Sequence, residues 1–160
     1  MKPENIGHTM RQFIPLGGQA AAMSEIFIDK VNMQIDGGQL MQASIYCKNH
    51  EMVKTLITRG CDLDNPPQKV PALTGHPECH IEYRRAPYII QAACYGDKKI
   101  MEMLVAAGCS LNEVGHIALS KRHKNSLAHN VIGAAAYHGN TETLAYCLKQ
   151  CPPDIIDVKG

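Results

Sequence analysis

The chain has 160 residues, enough for one domain of ordinary size or one short repeat array. Hydrophobic residues make up 45%, which argues against disorder, and 16 Lys plus Arg against 15 Asp plus Glu leave a formal charge of +1, so nucleic-acid binding would need a local patch. With six Tyr, two Phe and no Trp, the core must be built from Leu, Ile, Val, Met and Ala, which points to helices.

Residues 1–18 carry Pro3, Gly7, Pro15, Gly17 and Gly18 and read as extended or loose. They lack the apolar stretch of a secretory signal, and no apolar run in the chain approaches the length of a membrane span. Gln19 to Val31 reads as an amphipathic helix with Met23, Ile26, Phe27 and Val31 on its apolar face. Residues 1–33 are therefore expected to form an N-terminal extension ending in a capping helix. The seven cysteines, at 47, 61, 79, 94, 109, 147 and 151, include no CxxC pair. In a reducing compartment they are free thiols serving as small apolar residues, and a cytoplasmic location is expected, with the nucleus also open.

From residue 34 onward the sequence repeats itself. Ser44 to Ile57 aligns without a gap onto Ala92 to Val105, an offset of 48, and the match runs on from Gly60-Cys61-Asp62-Leu63-Asp64 to Gly108-Cys109-Ser110-Leu111-Asn112. Ala135-Ala136-Tyr137-His138-Gly139-Asn140 then falls under the stretch beginning at Ala92, 43 residues further on. Each copy has the pattern of a helical hairpin. Ile89, Ala92 and Ala93 share one face of a short helix, Gly96 is expected to end it with positive φ, and Ile100, Met101, Leu104 and Val105 form the stripe of a second helix ended by Gly108. One such hairpin cannot bury its own apolar face, so neighbours must stack.

These copies resemble ankyrin repeats. The second carries Pro87, Ile89, Ala92, Ala93, Gly96, Met101, Leu104, Gly108, Leu111 and Asn112 in the family's pattern; the first keeps Gly37, Met41, Glu51, Val53, Leu56, Gly60, Asp62 and Asp64; the third keeps Ile132, Ala135, Ala136, Gly139, Glu142, Leu144 and Leu148. None has an intact T-P-L-H, Lys48 replaces the first inter-helix glycine, and Cys151-Pro152-Pro153-Asp154 stands where the last G-A-D would be. The resemblance implies an all-α, ankyrin-type helical-hairpin solenoid over 34–160, with repeats at about 34–64, 82–112 and 126–155. Segments 65–81 and 113–125 are then insertions, expected to project where the family's β-hairpin fingers lie.

Four constellations invite a chemical reading. Cys61, His76, Cys79 and His80 are a zinc candidate organised by the first insertion, but adjacent Cys79 and His80 point apart on an extended chain, and ordinary loop and core roles are favoured. Cys94 with His138 is a nucleophilic dyad in outline, without an orienting group or oxyanion donor. Lys121-Arg122-His123-Lys124 with Arg84-Arg85 is a basic run that reads best as a solvated loop. The last is the concave wall that the resemblance implies. The two positions after each small pair hold Tyr46 and Cys47, Cys94 and Tyr95, Tyr137 and His138, and the fingers add Asp36, Tyr83, Arg84, Arg85 and His129. Tyrosine suits binding hot spots, and it also fills space between neighbouring helices. The expectation is a non-enzymatic module that contacts another protein through Tyr46, Cys47, Tyr83, Arg84, Arg85, Tyr95, His129, Tyr137 and His138, as scaffold, adaptor or fixed subunit. No cofactor, bound metal, membrane or small-molecule substrate is expected.

Overall fold

The computed structural model describes residues 6–14, 26–67, 86–117 and 127–152. It is mostly helical. In chain order the elements are α1 (Ile6–Phe13), α2 (Gly37–Tyr46), α3 (His50–Thr58), α4 (Tyr88–Tyr95), α5 (Lys98–Ala106), β1 (Gly115–Ile117), β2 (Leu127–His129), α6 (Val131–Tyr137) and α7 (Thr141–Gln150).

Three helical hairpins, α2–α3, α4–α5 and α6–α7, pack side by side. The first helices form one row, α2 against α4 against α6, and the second helices form another, α3 against α5 against α7. The two rows bury different amounts of their surfaces. In α4 every residue from Tyr88 to Cys94 is buried, because this helix has neighbours on both sides and its own partner behind it. In α3 only Met52, Val53 and Leu56 are buried, and in α5 only Ile100, Met101 and Leu104: one stripe each, at helical spacing. Alanines at 92, 93, 134 and 135 are fully buried on α4 and α6, which pack on each other, and such small side chains suit a close approach.

Caps fix the hairpin turns. Asn49 Oδ1 accepts the Met52 amide at 3.1 Å, and Asp97 Oδ1 accepts that of Ile100 at 3.0 Å. Asn140, at the equivalent place before α7, makes no cap bond. Its Nδ2 instead donates to Ala93 O at 3.2 Å and Gly96 O at 3.1 Å, tying the third hairpin to the end of α4. His50 Nε2 and Asp97 Oδ2, 2.6 Å apart, tie the first hairpin to the second in the same way.

The turn backbones correct one expectation. Gly139 has φ of 68° and Lys48, at the same repeat position, 54°, but Gly96 has φ of −76°. At the second hairpin α4 runs on to Tyr95, Gly96 is its C-cap, and Asp97 follows at once as the N-cap of α5. Glycine is required there for room: a Cβ would lie 2.8 Å from Ala92 O.

The reading of 1–18 as loose is corrected as well. Within 1–18, read as loose, residues 6–13 form α1, which packs on α2 and buries Ile6, Met10, Arg11 and Ile14. Within the expected 19–31 helix, residues 26–28 are helical, but Ile26 is exposed and Ile28 is the buried residue; residues 19–25 lie outside those described. The cap is thus α1. It escaped the periodicity argument because Gly7 and Arg11 sit among its few apolar residues. The description as all-α holds for the body, with one addition: β1 and β2 pair antiparallel, Gly115 opposite His129 and Ile117 opposite Leu127, at the two ends of the second insertion.

Candidate functional site

The first-helix row ends in a line of rings. Tyr46 closes α2 and Tyr95 closes α4, with ring centroids 5.4 Å apart. Tyr95 stands 4.8 Å from His138, the C-cap of α6; His138 stands 5.3 Å from Tyr137, and Tyr137 stands 5.8 Å from His129 at the end of β2. Five rings, none stacked face to face, thus cross all three hairpins and reach the β-ladder. Tilted and edge-on pairs at these separations are mutually attractive. Tyr95 and His138 meet because they hold equivalent positions in successive hairpins. Tyr46 reaches Tyr95 from the repeat position before it, the last residue of α2 lying beside the last residue of α4, which runs one repeat position further.

Exposure varies along the line. Tyr46, Tyr95, His129 and His138 are half-buried, and Tyr137 is 57% exposed. The rings therefore fill space between hairpins and also present an open edge, so neither sequence reading of the tyrosines stands alone. Burial holds His129 and His138 below the ordinary histidine range, and the nearby charge of His129 lowers His138 further. The Nε2 atoms of both are buried and find no hydrogen-bond partner among the described residues. At neutral pH the wall is accordingly uncharged at its centre and apolar with a few polar tips.

Of the other expected contact residues, Cys47 is half-buried beside Tyr46. Asp36, the residue before α2, is half-buried and its carboxyl is raised by burial. Tyr83, Arg84 and Arg85 lie outside the described residues, as does the basic run 121–124.

The two chemical constellations can be placed in part. Cys94 is 5% exposed, and burial pushes its thiol up to about 12, the reverse of what a nucleophile needs. His138 turns its ring to Tyr95. Cys61 is buried, its thiol pushed up to about 11 by burial and by Asp62, as a packing residue of the repeat would be. His76, Cys79 and His80 lie outside the described residues, and among those described no three His, Cys, Asp or Glu side chains gather as metal ligands. On the other row, a shallow groove of about 350 Å³ between α5 and α7 is lined by Lys98, Glu102, Glu142, Tyr146 and Lys149. Among the described residues no helix is long and apolar enough to cross a membrane.

The sequence nominated the rings from repeat position alone, but it did not show that they touch. It also missed the ties His50–Asp97 and Asn140–Gly96. Part of their signal was present: Asn49, Asp97 and Asn140 place a polar residue at the same repeat position before the second helix of each copy. Compared with protein-family models, curated proteins and solved structures, the chain matches none.

Proposed function

We propose that the chain is an ankyrin-type solenoid whose work is non-enzymatic protein–protein interaction, as a scaffold, adaptor or structural subunit, in the cytoplasm or nucleus. The observation that carries this reading is the line of five rings across three hairpins. The rings are rigid, combine apolar bodies with polar tips, and are held in place by one another, so little conformational freedom is lost when a partner settles on them. The stacking of first helices on first helices and second on second supports the repeat reading, as do the positive φ values of Gly60, Gly108 and Gly139 just after α3, α5 and α6. The partner meets an uncharged centre, so specificity resides in shape and in the tyrosine and histidine tips.

The test is affinity capture with the intact chain as bait, followed by Tyr137→Ala. Tyr137 is the ring least engaged in the core, so its loss separates binding from folding. A central hot-spot tyrosine contributes at least about 2 kcal/mol, some thirtyfold in affinity. Retained melting with weakened capture supports the proposal, and undiminished capture by Tyr46→Ala, Tyr95→Ala and Tyr137→Ala refutes the ring wall as the contact.

A further inference from the structure

The repeat register reveals a second surface, apart from the ring wall. Four apolar positions recur in the repeat register: Met41, Ile45, Val53 and Ile57 in the first hairpin, Ile89, Ala93, Met101 and Val105 in the second, and Ile132, Ala136, Leu144 and Leu148 in the third. Met41, Ile45 and Val53 are at most 1% exposed, and Ile57 is packed against the core. Ile89, Ala93 and Met101 are fully covered, and Val105 is packed likewise. In each case the following hairpin packs against the helices that carry them. In the third hairpin the same four positions are still apolar, yet Ala136 is exposed, Leu148 is 45% exposed, and Ile132 and Leu144 are only partly buried.

We infer that this open face of α6 and α7 is a docking surface for a further helical hairpin, stacked on the third as the third stacks on the second. Continuity with the two intramolecular interfaces selects the occupant. The face is divided between two helices, with an i, i+4 pair on each, 132 with 136 and 144 with 148. A single helix would cover one column and leave the other in water. Ala136, like Ala93, leaves room for close backbone approach. None of the four residues is charged, so the arriving surface is apolar at its centre. At the opposite end the corresponding face of the first hairpin is occupied by α1, so the two ends of the array are not alike.

The experiment extends the full chain by one hairpin. Cys151 stands at the repeat position of Gly108, 43 residues on. Residues 109–152 are therefore repeated directly after Cys151, followed by the native 153–160. Amide hydrogen exchange in the original α6 and α7 is expected to slow at least tenfold in the extended chain. Ala136→Glu with Leu148→Lys is expected to abolish that slowing while leaving the melting of the unextended chain unchanged, because both residues face water there. No slowing on extension would overturn the inference. So would a marked loss of stability from the double variant in the unextended chain, since the face would then already be covered. Sedimentation that shows a dimer broken by Ala136→Glu would make a second copy the occupant, and would also overturn it. None of these outcomes bears on the ring wall, which is tested separately by capture.

Discussion

Lys48→Gly should stabilise the protein. Lys48 has φ of 54°, the left-handed region that its hairpin turn requires, and it is the one non-glycine among the described residues to do so. A side chain with a Cβ pays about 1–2 kcal/mol for that conformation. Glycine removes the strain but gives back about 0.5–1 kcal/mol through its greater freedom in the unfolded chain. The Lys48 side chain is exposed, and its charge helps to hold Asp97 ionised. The balance is a gain of about 0.5–1 kcal/mol, or about 1–4 °C in melting temperature for a chain of this size. The assay is thermal and urea unfolding followed by far-ultraviolet circular dichroism, repeated at high salt to remove the Asp97 contribution. Gly139→Ala is the mirror experiment. Its φ is 68° and a Cβ there meets nothing within 4 Å, so the loss of about 1 kcal/mol would come from the backbone alone. If Lys48→Gly melts clearly lower than the parent, the turn of the first hairpin is not built as described, and the equivalence of Lys48 with Gly139 fails.

Thr143 is fully buried and its hydroxyl has no hydrogen-bond partner among the described residues, so Thr143→Val, which keeps the shape, should raise the urea midpoint by about 1 kcal/mol equivalent. Gly96→Ala should lower it by about 1–3 kcal/mol, because the new Cβ collides with Ala92 O despite an ordinary φ. His129 and His138 are held below the ordinary histidine value, so the folded state resists their protonation. Stability is then complete above about pH 6.5 and falls as pH drops below it; urea midpoints across that range should show the slope, and His138→Gln should flatten it. Burial opposes the charge of Asp97, but the Ile100 amide and His50 outweigh it and hold the carboxyl below its usual range. Its contribution is therefore present above about pH 4 and lost as pH falls through the lower folded value, an acid limb that Asp97→Ala should remove while lowering stability at neutral pH by about 1 kcal/mol.

What could be read from the sequence was the part set by periodicity. Ala92 and Ala93 on one face and Met101 and Leu104 on the next located α4 and α5, and the offsets of 48 and 43 located their copies. The reading failed where the local backbone departs from its own repeat. Gly96 has the identity of a left-handed turn residue, but α4 extends one residue further than its counterparts, and the need for glycine shifts from φ to space. Residues 6–13 were read as loose for a related reason: their own apolar spacing is poor, and α1 is stabilised by tertiary contact with α2. For the site, position in the repeat nominated Tyr46, Tyr95, Tyr137 and His138, because stacking converts sequence register into proximity. Their contact distances, the lowered histidines and the exposure that singles out Tyr137 depend on the packing of three hairpins together, which no single copy encodes.

The most direct measurement is amide hydrogen exchange of the chain with and without the protein that it captures. The account predicts protection at the ends of the first helices, around Tyr46, Tyr95 and Tyr137 and at His129, with α3, α5 and the outward side of α7 unchanged. Protection confined to those second helices, with the ring line exchanging as in the free chain, would contradict it.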